Sequence, residues 1–93
     1  MNEHNHPHSK QIINRMSRII GHAQAVKRMI EEGKECDEIL IQISAVRSAL
    51  NNVGKLILED HINYCIVEAV ENKDNEPLKK INIAIDKFIN TIK

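Results

Sequence analysis

Three side chains in this sequence have the types and spacing to do metal or sulfur chemistry: Cys36, His61 and Cys65. His61 and Cys65 are four residues apart, so on a helix they share one face about 6 Å apart along the axis, close enough to hold one metal ion. That pair is half a site. Cys36 is the only other cysteine, and it lies about 25 positions before His61, or ~37 Å along an unbroken helix. Two thiolates and an imidazole suit Cu(I) in a low-coordinate site, or Zn(II) with a fourth ligand; Ni(II) prefers a tetragonal set that a further histidine could complete. The same two cysteines could instead condense to a di- or polysulfide, or be buried and inert.

The stretch CDEILIQISAVRSALNNVGKLILEDHINYCIV, residues 36–67, reads as one long helix that cannot bring these ligands together alone. Two antiparallel copies could, with a two-fold axis near Ala49 and Leu50 setting Cys36 of one chain opposite His61 and Cys65 of the other. Ser44, Ala45, Ser48 and Ala49 are small enough for close approach of the two backbones. The competing geometry is a hairpin within one chain, broken at the poor helix formers Asn51-Asn52-Val53-Gly54. It would place Cys36 near residue ~69 by equal-rise counting, within a turn of Cys65 but two turns from His61.

The rest of the chain must supply the frame. Ninety-three residues make one small domain, and a chain of this size leaves much apolar surface uncovered unless it associates. Tyr64 and Phe88 are the only aromatics and there is no Trp, so the core is expected to be aliphatic. Scarce glycine and proline argue for long helices rather than an all-β or loop-rich fold. The expectation is an all-α protomer of three helices, at about 10–32, 36–71 and 77–92, in a single domain over 10–93 that follows a flexible His-rich tail over 1–9.

The first helix carries an apolar stripe of Ile12, Met16, Ile19, Ala23, Val26 and Ile30, with Ile13 and Ile20 beside it. Opposite lie Lys10, Asn14 and Arg18, flanked by Gln11 and Arg15. Gly33 should stop this helix. In the second, Asp37 and Glu38 suit the positive end of the helix dipole, and Ile39, Ile43, Val46, Leu50, Val53 and Ile57 form the stripe. Pro77 fits the first position of the third helix, whose apolar face is Leu78, Ile81, Ile85, Phe88 and Ile92. Formal net charge is zero, yet the basic residues crowd the first helix and the acids the second, and such patches set the local field for an anionic partner. In the tail, His4, His6 and His8 could remain solvated, or one could fold back as an added ligand.

No apolar run is long enough for a membrane span, and no charged-then-apolar signal opens the sequence, so a cytoplasmic location is expected. Two cysteines in a reducing compartment fit reactive or metal-binding roles better than a structural disulfide. Phosphate-loop, H-E-x-x-H, C-x-x-C and nucleophile-elbow motifs are all missing, which argues against an enzyme.

Taken together, N-R-M-x-R-I-x-G over 14–21, the step from Gly21 to Cys36, Q-I-S-A-V over 42–46 and L-E-D-H-x3-C over 58–65 resemble the copper-sensitive operon repressor family. That group also holds nickel/cobalt, formaldehyde and persulfide sensors. The resemblance implies an antiparallel four-helix-bundle dimer that assembles into a tetramer, binds operator DNA, and releases it when inducer binds. It further implies Cys36 as the thiolate ligand from the second helix and His61 and Cys65 as the pair from the neighbouring subunit. His4 falls where nickel and cobalt sensors carry an N-terminal ligand. Arg15, Arg18 and Arg47 fall where basic residues are associated with DNA, and Lys10 extends that basic side.

This chain also departs from the family pattern. Copper sensors usually have a tyrosine before the first cysteine and a glutamate in the third helix, which link the metal site to the DNA face; here these positions hold Glu35 and Ile81. His22 and Gln24 replace the usual glutamine and basic residue. Cys65 argues against the formaldehyde branch and His61 against the persulfide branch. Cu(I) is therefore the expected inducer, with Ni(II) through His4 second and sulfur species at Cys36 and Cys65 third. The readings from other classes are a cytosolic metal-buffering protein without a DNA role, and a plain helical oligomerisation module.

Overall fold

The computed structural model of the chain describes residues 8–90. Among them the only regular elements are three helices, α1 (Ser9–Glu31), α2 (Cys36–Glu71) and α3 (Glu76–Asn90). The chain is all-α, as composition and periodicity imply. Because α2 is unbroken, the hairpin alternative at Asn51-Asn52-Val53-Gly54 is not adopted. Weak helix propensity over four residues is a small cost beside the packing of a 36-residue helix.

Each break in helix has a local cause. Gly33 adopts a left-handed backbone with φ of 71°, a conformation that costs a residue bearing a Cβ. The Gly33 N–H donates to the Ile30 carbonyl at 3.1 Å and the Lys34 N–H to the Met29 carbonyl at 3.0 Å. This is the reciprocal pair of a Schellman ending, which satisfies the last carbonyls of α1. The α2 terminus uses Lys73 at φ 54°, with the Asn72 N–H donating to the Glu68 carbonyl. At the start of α3 the Asp74 carboxylate accepts from the Glu76 N–H at 3.1 Å. Pro77 sits one position later than expected, still within the first turn where N–H groups lack intrahelical partners.

The chain divides into two packing units. In residues 9–53, α1 runs antiparallel to the first half of α2. Ile12, Ile19 and Val26 are buried at strict seven-residue spacing, with Val53 from α2. Met16 is half-buried, while Ala23 and Ile30, expected on the same stripe, are exposed. The buried face of α1 is thus a narrow coiled-coil-like seam.

The second unit joins His8 and residues 54–90, with the second half of α2 antiparallel to α3. Leu78, Ile81, Ile85 and Phe88 are half-buried here; Ile92 lies outside the described residues. Gly54 serves this packing directly, because a Cβ on it would fall 2.5 Å from Phe88 Cζ. Its value is the room it leaves for the Phe88 ring.

Candidate metal centre and basic pocket

Cys36 is the first residue of α2, and its thiol is exposed. Glu35, immediately before it, accepts the Ile39 N–H at its carbonyl (3.1 Å) and so acts as the cap of the helix. His61 and Cys65 lie about seven turns further along the same helix. There they line one cavity of about 510 Å³ together with Tyr64, Pro77, Lys80 and Ile81. His61 is half-buried, and Cys65 is only 1% exposed. No three His, Cys, Asp or Glu groups converge to hold a metal among the described residues.

The donors present fit a soft metal ion. A thiol and an imidazole on one helical face open into a common space, and both are donor types that soft metal ions take. Burial raises the Cys65 thiol pKa above its ordinary value, and the Glu68 carboxylate raises it further.

Beside this pair stands an acid that spacing alone does not single out. Asp60 is 3% exposed, and its Oδ1 lies 2.6 Å from His8 Nδ1. The His8 backbone N–H donates to Asp60 Oδ2 at 3.3 Å. His8, one of the three tail histidines weighed as an added ligand, pairs with Asp60, the residue before His61. Its partner is 52 residues away in sequence, and no local spacing signals the contact. His4 and His6 lie outside the described residues.

Of the basic residues expected at a DNA surface, Arg15 and Arg18 line a second cavity, of about 230 Å³, within the first unit. Ile19 and His22 complete its α1 wall, and Ala49 and Asn52 come from α2. His22 Nε2 lies 2.7 Å from Gln42 Oε1, so the two departures from the usual pattern in this region are not equivalent: His22 joins the packing of α1 on α2, whereas Gln24 is exposed. Lys10 and Arg47 are exposed on α1 and α2. None of the described helices is long and apolar enough to cross a membrane.

Comparison with known proteins gives this arrangement a setting. A family model described as metal-sensitive transcriptional repressor matches residues 8–93. The copper-sensing transcriptional repressor CsoR of Bacillus subtilis (strain 168) is 43% identical, over 81% of this chain and 80% of the relative. Among solved structures, the nickel-responsive transcriptional regulator InrS aligns with TM-score 0.78 at 43% identity, covering 91% of this chain and 97% of that one. The copper-sensing repressor CsoR with Cu(I) from Geobacillus thermodenitrificans NG80-2 aligns with TM-score 0.79 at 36% identity, covering 86% and 84%. The helices, the His61/Cys65 face and the basic first helix all fall inside the matched region, and the chain belongs to the family of metal-sensitive transcriptional repressors.

Proposed function

We propose that this repressor binds operator DNA and releases it when Cu(I) enters a site built from Cys36 of one subunit and His61 and Cys65 of another. The observation that carries this is the division of ligands along α2. His61 and Cys65 face one cavity, while Cys36 is exposed at the first turn of the same unbroken helix. A second, antiparallel copy supplies the missing thiolate. Two thiolates and one imidazole favour Cu(I) among the ions considered, in keeping with the copper-sensing relatives.

Association also answers the apolar surface of α2. Leu40, Ile43, Leu50, Ile62, Ile66 and Val70 are all two-fifths or more exposed in the single chain, the kind of apolar surface that marks a protein–protein interface. Burial between α2 helices yields the antiparallel dimer, and pairing of dimers the tetramer. Lys10, Arg15, Arg18 and Arg47 form the DNA surface, binding chiefly through phosphates and in a salt-dependent way. Binding and release, rather than catalysis, is the activity, and a cytoplasmic location follows from it.

A second inducer has its own support. The nickel-responsive structure aligns with nearly all of its chain, and His4 could add the nitrogen ligand that Ni(II) prefers. Anaerobic titration of the DNA complex with Cu(I), Ni(II) and a persulfide donor separates these readings. Release by Cu(I) at one equivalent per site is expected. Release by Ni(II) alone would move the assignment to His4, release by persulfide alone would move it to the cysteine pair, and a protein that never retards operator DNA would be a metal buffer.

A further inference from the structure

Resting on the two-chain site given above, we propose that Lys80 of α3 receives a carboxylate that flanks Cys36 on a second copy of the chain, and that this ion pair positions Cys36 opposite His61 and Cys65. Among the described residues that line the His61/Cys65 cavity of about 510 Å³, Lys80 is the one lysine or arginine, and Ile57, Pro77, Ile81 and Ala84 are apolar. Lys80 is itself exposed, so its stem borders the cavity while its ammonium reaches the mouth. It has no ion-pair partner among the described residues, whereas its neighbour Lys79 reaches Glu76 at 3.4 Å.

The start of α2 carries the opposite charge. Glu35 and Asp37 stand on either side of Cys36 in the chain. All three residues are exposed, and neither acid has an ion-pair partner among the described residues. Successive residues of a helix point about 100° apart, so Glu35 and Asp37 diverge to opposite sides of Cys36. Whichever side α3 of the other copy occupies, one of the two carboxylates turns toward it.

The levels of these charges agree. With a two-fold axis near Ala49 and Leu50, equal-rise counting sets Cys36 of one copy level with Asn63 of the other, between His61 and Cys65, and Asp37 level with Ile62. Within one chain Phe88 lies against Gly54, and counting back along the antiparallel helices sets Lys80 level with Ile62 as well. Cys36 therefore cannot enter the site without carrying its flanking acids to the height of Lys80. The Glu68 carboxylate on α2 lies close enough to Cys65 to raise its thiol pKa, so the arriving acids meet negative charge already in place, and Lys80 is the group that offsets it. Like charges opposed across an interface weaken association, and opposite charges fix its register.

Subunit exchange between donor- and acceptor-labelled copies of the full-length, reduced, metal-free protein tests this, read by energy transfer after mixing. Lys80→Glu should speed exchange roughly five- to thirtyfold at low salt, and the difference should shrink as salt screens the charges. Lys80→Arg should exchange like wild type. One of the two double variants, Lys80→Glu with Glu35→Lys or Lys80→Glu with Asp37→Lys, should exchange more slowly than both of its parent single variants, because it restores an opposite pair. Circular dichroism checks that each variant keeps its helices. Cu(I) affinity, measured against a chelator, should fall in Lys80→Glu and recover in the same double variant. Exchange unchanged in Lys80→Glu, or no double variant slower than its parents, overturns the proposal; recovery of association with Cu(I) affinity constant throughout overturns the positioning of Cys36. Wild-type copies that never give energy transfer would instead overturn the two-chain site beneath it.

Discussion

His8 Nδ1 lies 2.6 Å from Asp60 Oδ1, a contact that ties the residue before α1 to the residue before His61. The Asp60 side chain is only 1% exposed and the His8 side chain 36%, so the acid is held in a dry setting while the imidazole still reaches solvent. Polar contacts to buried carboxylates hold more strongly than surface pairs. His8→Ala should lower stability by about 1 kcal/mol, measured by urea unfolding at fixed protein concentration because association contributes to stability. An unchanged midpoint would mean that the contact does not support the fold. On the proposed ligand set, the pair also joins the chain neighbour of a ligand to the residue that precedes α1. Asp60→Asn should therefore reduce Cu(I)-driven DNA release by more than it reduces Cu(I) affinity, which parallel metal and DNA titrations would show.

Gly54 and Phe88 make the clearest packing test. On propensity alone, Gly54→Ala within a helix would stabilise by about 1 kcal/mol. With a Cβ placed 2.5 Å from Phe88 Cζ, the ring and α3 must shift instead, and overpacking of this kind costs about 1–3 kcal/mol. A net loss of stability is expected, partly recovered when Phe88→Leu is added. A gain in the single variant would show that Phe88 does not rest on Gly54.

Lys73 offers the opposite sign. Its φ of 54° is one that a residue with a Cβ adopts at a cost of about 1–2 kcal/mol. Lys73→Gly should raise the unfolding midpoint, while Gly33→Ala, at φ 71°, should lower it. Thermal denaturation of both variants checks the pair of signs.

The thiols should differ in reactivity. Cys36 is exposed and Cys65 buried, and burial together with Glu68 holds the Cys65 thiol in its neutral form. Iodoacetamide should label Cys36 first, and Glu68→Gln should speed Cys65 modestly by removing the second cause. Since the folded-state pKa of Cys65 is raised, its contribution to stability is full at neutral pH and below, and is lost as pH climbs through the ordinary thiol range toward the folded value. Mass-spectrometric labelling against time reads the order directly; equal rates would contradict the burial of Cys65.

How much of this was legible beforehand depends on the residue. Gly33 and Pro77 mark helix ends because backbone chemistry at those residues is local, and the i, i+4 placement of His61 and Cys65 needs only helical geometry. The cluster Asn51-Asn52-Val53-Gly54 was ambiguous, since propensity read without Phe88 cannot tell a break from a notch that admits a ring. Ile30 and Ala23 share the spacing of the α1 stripe but not its burial, because periodicity gives a face and not the width of the partner that covers it. Asp60 is one of several acids on α2, and nothing in its spacing sets it apart. Its partner is 52 residues away in sequence, and no local pattern encodes such a contact.

The proposed sharing of one site between two chains can be tested by mixing chains. Protein carrying Cys36→Ala and protein carrying His61→Ala with Cys65→Ala each lack part of every site and should bind Cu(I) weakly against a chelator. Unfolded together and refolded, they should form mixed dimers holding one intact site each, with tight Cu(I) binding restored to the mixture. If the mixture binds no better than its two components, the ligands do not come from two chains, and the site proposed here is wrong.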